Sequence, residues 1–149
     1  MAACIRVVNS REEQELYIPL LASVEPHRQF VEDYVCRGKL YVLEDGGRTV
    51  SASVVVPLSS QSVELSLLAT DSSENIQSYE RTMVKFLFAL YRTTHQRMFA
   101  RMGADRNASV ENLEQLGFRQ VGSLPDYFPI APQAASNRCG TLLLFQRYL

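Results

Sequence analysis

The sequence predicts an α/β (α+β) fold, in which a mixed, mostly antiparallel central sheet of about seven strands carries helices on both faces. Three observations support this. Two β-rich runs, LYVLE and TVSASVVVP, are joined by Asp45-Gly46-Gly47, a hairpin signal. A third β run, Ser62 to Thr70, follows at once, and a helix-period stretch separates it from the apolar strand MFARMGA. After Gly117 the chain returns to β-type sequence through its last residues.

Taken in order, Ile5 to Val8 is a β-branched run ended by Asn9 and Ser10. Ser10, with Glu13 three residues on, forms a capping box for a helix from Arg11 to about Ala22. Leu16, Ile18, Leu20 and Leu21 are its apolar residues, and Pro19 kinks or shortens it. A second helix, His27 to Cys36, has Phe30, Tyr34 and Val35 as its buried side and stops at Gly38. The hairpin strands follow, and SVELSLLAT alternates before becoming wholly apolar, as a strand does when it runs from a sheet edge to its middle. These three strands form a meander. The next helix, Gln77 to Thr93, puts Met83, Val84, Leu87, Phe88 and Tyr91 on one stripe. The crossover through it to MFARMGA is a βαβ unit, and its helix N-terminus is an anion site by construction. In ASVENLEQLGFRQVG, a short helix turns Leu113 and Leu116 inward, closes at Gly117 and leads into a strand from Phe118 to Val121. A proline-marked loop precedes the closing strand TLLLFQRYL.

The chain's 149 residues suit one domain, residues 1–149, and 46% apolar with 21% charged residues is the composition of a globular protein. A net charge of -1 excludes a general basic field for nucleic acid or an anionic membrane. All basic residues but Lys39 and Lys85 are arginines, which favours planar recognition of phosphate or carboxylate. Cys4, Cys36 and Cys139 lack disulfide or zinc spacing, so no metal is expected, and Cys36 and Cys139 read as small buried hydrophobes. With neither a signal peptide nor a membrane-spanning stretch in view, a reducing cytoplasm is the expected location.

The hairpin YVLEDGGRTVSASVVV, the strand VELSLLAT running into a helix, and ENLEQLGFRQVG, in that order, resemble the GNAT superfamily of acetyl-CoA-dependent N-acetyltransferases over nearly the whole chain. The resemblance implies acetyl-CoA as co-substrate. It implies that the backbone of Leu68, Ala69 and Thr70 pairs with the pantetheine arm, and that Gln77, Ser78, Tyr79, Glu80, Arg81 and Thr82 meet the pyrophosphate. Asn107 lies near the family's CoA-contacting asparagine and also reads as a helix cap. The family pattern in this stretch is Q/R-x-x-G-x-G/A, whose glycines admit phosphate to the backbone. Counted from Gln77, the glycine positions hold Glu80 and Thr82; counted from Asn75, they hold Ser78 and Glu80. Glu80 pointed at a pyrophosphate would repel it, and turned outward it would stabilise the helix, while Arg81 beside it could reach the phosphates.

The family's tyrosine acid, four residues before the glycine of LGF, is Leu113 here. The resemblance implies Glu64 as the base, on the strand before the pyrophosphate loop where some family members place a catalytic glutamate, with Val63 and Leu65 facing the other way; a solvated residue near a strand start is the alternative. Tyr127, Tyr79 and Tyr91 are proton donors by residue type. Tyr91 fits the core stripe, whereas Tyr127 lies where the family's sheet splays open. His27 reads either as a base at the acceptor cleft or as a surface residue. The acceptor, an amine on a small molecule, peptide or protein, would meet the first two helices and the loop Leu124 to Arg138, with Glu25, Glu32, Asp33 and Asp126 as attracting charges. TLLLFQRYL is apolar enough to add to a partner's sheet in a homodimer. Two functions follow: an N-acetyltransferase, ranked first, and a binding or regulatory module with weakened CoA binding, favoured by the missing glycines and Leu113. A protein-docking domain that uses the open cleft is a third.

Overall fold

The computed structural model describes residues 3–71, 75–128 and 140–149. The order is β1 (Ala3–Val8), α1 (Arg11–Glu15), α2 (Ile18–Ala22), α3 (Arg28–Arg37), β2 (Lys39–Asp45), β3 (Arg48–Pro57), β4 (Ser62–Thr70), α4 (Ile76–Tyr91), β5 (Arg97–Gly103), α5 (Asn107–Gln115), β6 (Arg119–Leu124) and β7 (Leu142–Tyr148). The seven strands form one sheet in the order β1-β2-β3-β4-β5-β7-β6. All neighbours are antiparallel except β4 and β5, which the helical crossover makes parallel. No helix among the described residues is long and apolar enough to cross a membrane.

Two clusters cover the two faces. Met83, Val84 and Leu87 of α4 and Leu113 of α5 pack with Leu65, Met98 and Phe145. Ile18 and Leu21 of α2 and Val31 and Val35 of α3 pack on the other face with Leu40, Val54 and Leu67. The expected meander β2–β3–β4 is present, with Gly46 and Gly47 at φ 63° and 79° in its turn, a conformation glycine adopts without a Cβ penalty.

Three expectations need correction. The helix expected from Arg11 to Ala22 is two short helices, because Pro19 sits in the first turn of α2, where its missing N–H breaks no bond. Leu16 lies in the break and is 72% exposed, and Phe30 is an exposed residue of α3 whose inward place is taken by Val31. β7 is paired on both sides, by β5 and β6, so the apolar closing strand fills the sheet interior and has no edge to offer a partner.

Candidate functional site

β4 and β5 pair from Ser62 and Arg97 to Leu65 and Ala100, then part. The separation coincides with a bulge: Val54 of β3 faces Leu67 and Val55 faces Leu65, which leaves Ser66 without a partner. A bulge bends its strand and adds twist. The extra residue also switches the faces, so that Val63 and Leu65 belong to the α4 and α5 cluster while Leu67 and Ala69 belong to the α2 and α3 cluster. Beyond Leu65 the β5-facing edge of β4, residues 66–70, carries backbone groups outside any ladder. At the fork lies a cavity of about 20 Å³, room for one water, lined by Ser66, Leu68, Arg101, Arg106, Phe128 and Leu142.

A polar cluster sits over the fork on the α3 side. Tyr127 donates its hydroxyl to Glu25 Oε1 at 2.6 Å and accepts from an Arg101 N–H at 2.8 Å. Glu25, 4% exposed, also meets His27 Nδ1 at 2.8 Å and accepts from the His27 backbone N–H. The Arg101 guanidinium lies against the rings of both Tyr34 and Tyr127. On β4, Ser66 donates to Glu64 Oε1 at 2.6 Å. Burial pushes the Tyr127 hydroxyl up, and its bond to Glu25 pushes it further against the opposing charge of Arg101, so it keeps its proton. Burial also raises the Tyr34 hydroxyl, which feels Arg101, Glu64 and Glu25 together.

The structure thus brings Glu64 and Tyr127 to one fork, together with Glu25 and His27, and adds Tyr34, Ser66 and Arg101, which sequence reasoning missed. Arg101 left a readable signal: Met98, Ala100 and Met102 alternate into the core, so Arg97, Phe99 and Arg101 share the opposite face. Ser66 left none, because a bulge is set by pairing with β3. Of the loop expected to shape the acceptor pocket, residues 129–138 lie outside the described residues, as does Cys139. Cys36, expected to be buried, is exposed. Tyr91 is packing, as its place on the stripe suggests, with its hydroxyl 2.7 Å from that of Tyr41.

The α4 opening differs from expectation. Asn75 caps the helix by accepting from the Ser78 N–H, and the first turn holds no acidic residue. Glu80 neither points at a phosphate nor turns outward: it is 1% exposed and accepts the Ser109 hydroxyl at 2.8 Å, inside the contact of α4 with α5. Tyr79 donates to Asp45, Arg81 to Gln115, and Thr82 to the Ser78 carbonyl, so these side chains are engaged within the fold. The Gln77 carbonyl accepts from Asn112. Leu68, Ala69 and Thr70 are buried along β4 beyond the fork. Asn107 is the exposed first residue of α5, and the capping position is held by Arg106 with no side-chain cap bond, so the cap reading of Asn107 fails.

Burial raises the Glu80 carboxyl, with Ser109, Arg106 and Asn112 opposing in part. The folded state therefore holds this proton more tightly than the unfolded chain. The stability it contributes is complete below the ordinary glutamate range and is lost as pH rises through the raised folded value. Glu80→Gln keeps an acceptor for Ser109 and removes the ionisation. We expect it to be more stable than wild type by on the order of 1 kcal/mol at pH 7, with the gap closing in acid. Urea unfolding of both chains across that range checks this; a variant less stable at pH 7 would show that the ionised carboxylate is satisfied where it lies.

No family model matches the chain, and no curated protein sequence does. Solved structures do. An IAA acetyltransferase from Bacillus cereus superposes with a TM-score of 0.86 at 16% identity, over 99% of this chain and 100% of that one. The chain has the fold of the GNAT acetyltransferases. A Bacillus subtilis acetyltransferase in complex with CoA shares this GNAT fold with a TM-score of 0.83 at 18% identity, over 99% of each chain. So does a GNAT family acetyltransferase from Elizabethkingia anophelis with acetyl-CoA bound, at 0.81 and 15%, over 99% of this chain and 98% of that one.

Proposed function

We propose that this chain is an acetyl-CoA-dependent N-acetyltransferase acting on the primary amine of a small molecule or peptide. One observation supports the reading: the fork after Leu65 leaves the backbone edge of β4 unpaired beside a partly buried cluster of proton-handling side chains. Residues 66–70, Leu68, Ala69 and Thr70 among them, offer that edge to the amides of a pantetheine arm. The first turn of α4, free of acidic residues, offers the Gln77 region to a pyrophosphate, the Ser78 N–H being taken by the Asn75 cap, and Glu80, turned into the protein, does not oppose it. The room at the fork is that of one water, with Phe128 among the side chains that line it.

When bound, acetyl-CoA supplies a thioester whose C–S bond breaks as the C–N bond to the amine forms. Glu64 takes the proton that the amine loses. Tyr127, which keeps its proton, would donate it to the leaving sulfur by turning its O–H away from Glu25, and the Arg101 charge favours the phenolate left behind. Glu25 and His27 hold Tyr127 in place. A binding module without turnover is the second reading, favoured by Leu113, which lies buried where the resemblance expects a tyrosine acid. Thiol release by the purified chain with acetyl-CoA and a panel of amines separates the two: amine-dependent release supports the enzyme, and binding without release supports the module.

A further inference from the structure

We propose that the acceptor is a small amino-carboxylate, an amino acid or a close analogue, and that Arg101 is the specificity residue that holds its carboxylate. This rests on the acetyltransferase reading of the same fork.

Arg101 is built as a receptor for a planar anion. Its guanidinium carbon lies 5.5 Å from the centroid of the Tyr34 ring and 5.4 Å from that of Tyr127, so it is held between two aromatic rings. One N–H is spent on the Tyr127 hydroxyl. Among the described residues its other N–H groups have no partner, and no carboxylate lies within ion-pairing distance. Arg6 shows the contrast, since its guanidinium is engaged by both Glu13 and Glu44. An oriented guanidinium with spare parallel donors matches a carboxylate in two-point fashion.

The surroundings supply the other half of the match. Glu64 and Arg101 stand on β4 and β5 at the point where the ladder ends, on the face that meets Tyr34. Glu64 is in register with Phe99, and Arg101 stands two residues further along β5, so their Cα atoms are roughly 8 Å apart on the same face, a separation that two long side chains reduce to the span of one small zwitterion, with its ammonium beside Glu64 and its carboxylate beside Arg101. The converse case is unfavourable. An amine without a carboxylate would exclude water from Arg101 and leave a positive group with unmet donors, a cost that a site built for hydrogen bonding converts into rejection.

The test uses the full chain, acetyl-CoA and free L-amino acids, each paired with its α-amide, with thiol release as the readout. For the accepted amino acid we expect kcat/KM about 10²-fold or more above its amide, mainly through KM. Arg101→Gln, planar and neutral, should bring that ratio close to one, and Arg101→Lys should keep part of it. Equal rates for acid and amide in the wild-type chain, or a ratio unmoved by Arg101→Gln, overturn the inference, as does acetylation of peptide N-termini in preference to every free amino acid. Absence of acetyl-CoA binding defeats the acetyltransferase reading itself, whereas binding with turnover of amines but of no amino-carboxylate defeats only the role of Arg101.

Discussion

The Glu64→Gln variant is expected to transfer acetyl groups about 10²–10⁴-fold more slowly than the wild-type chain, with the loss in kcat. The substitution is nearly isosteric. Its amide oxygen can still accept from the Ser66 hydroxyl, which donates to Glu64 at 2.6 Å, so the bulge that opens the fork is retained. What disappears is the only basic oxygen on β4 at the fork, on the side facing α3 and opposite the buried Val63 and Leu65. Steady-state rates at saturating acetyl-CoA measure the effect. A variant within a few-fold of wild type would remove Glu64 from the chemistry and turn attention to Glu25, the other carboxylate of the cluster, although that one already accepts from Tyr127 and His27.

Gly38→Ala is expected to destabilise the fold by roughly 3 kcal/mol or more, at the upper end of single substitutions. Gly38 follows α3 with φ -114° and ψ -160°, extended backbone open to any residue, so conformation is not the objection. Space is. A Cβ there would lie 2.4 Å from the Val55 carbonyl oxygen and 3.0 Å from the Tyr34 carbonyl oxygen, both backbone atoms that cannot swing aside. The absent Cβ lets the end of α3 press on β3, and α3 carries Tyr34 to the fork. Gly46→Ala is the control: its φ of 63° strains an alanine, but nothing lies within 4 Å, so about 1–2 kcal/mol is expected. Urea unfolding of both variants decides, and a Gly38→Ala loss no larger than that of Gly46→Ala would contradict the packing argument.

The architecture was legible because its signals are local. Asp45-Gly46-Gly47 specifies a hairpin, and the stripe through Met83, Val84 and Leu87 specifies a helix lying on a sheet, so the meander and the β4–α4–β5 crossover could be read directly. The site was legible only in part. Glu64 and Tyr127 were singled out from the resemblance and residue type, but the partners of Tyr127, Glu25 and Arg101, come from segments far apart in sequence. Glu80 was misplaced for a physical reason. A glutamate near a helix start normally stays in solvent near the positive end of the dipole, and only the packing of α5 on α4, with Ser109 as donor, turns this one inward. β7 was misassigned as a dimer edge because an apolar strand reads the same at an edge and in the middle of a sheet.

Titrating isotope-labelled protein with acetyl-CoA while following backbone amide shifts tests the central claim most directly. The fork and the α4 opening predict saturable binding, with the largest shifts at residues 66–70 of β4 and at Gln77 and Ser78. No shifts at millimolar acetyl-CoA, or shifts confined to surfaces away from β4, would contradict it.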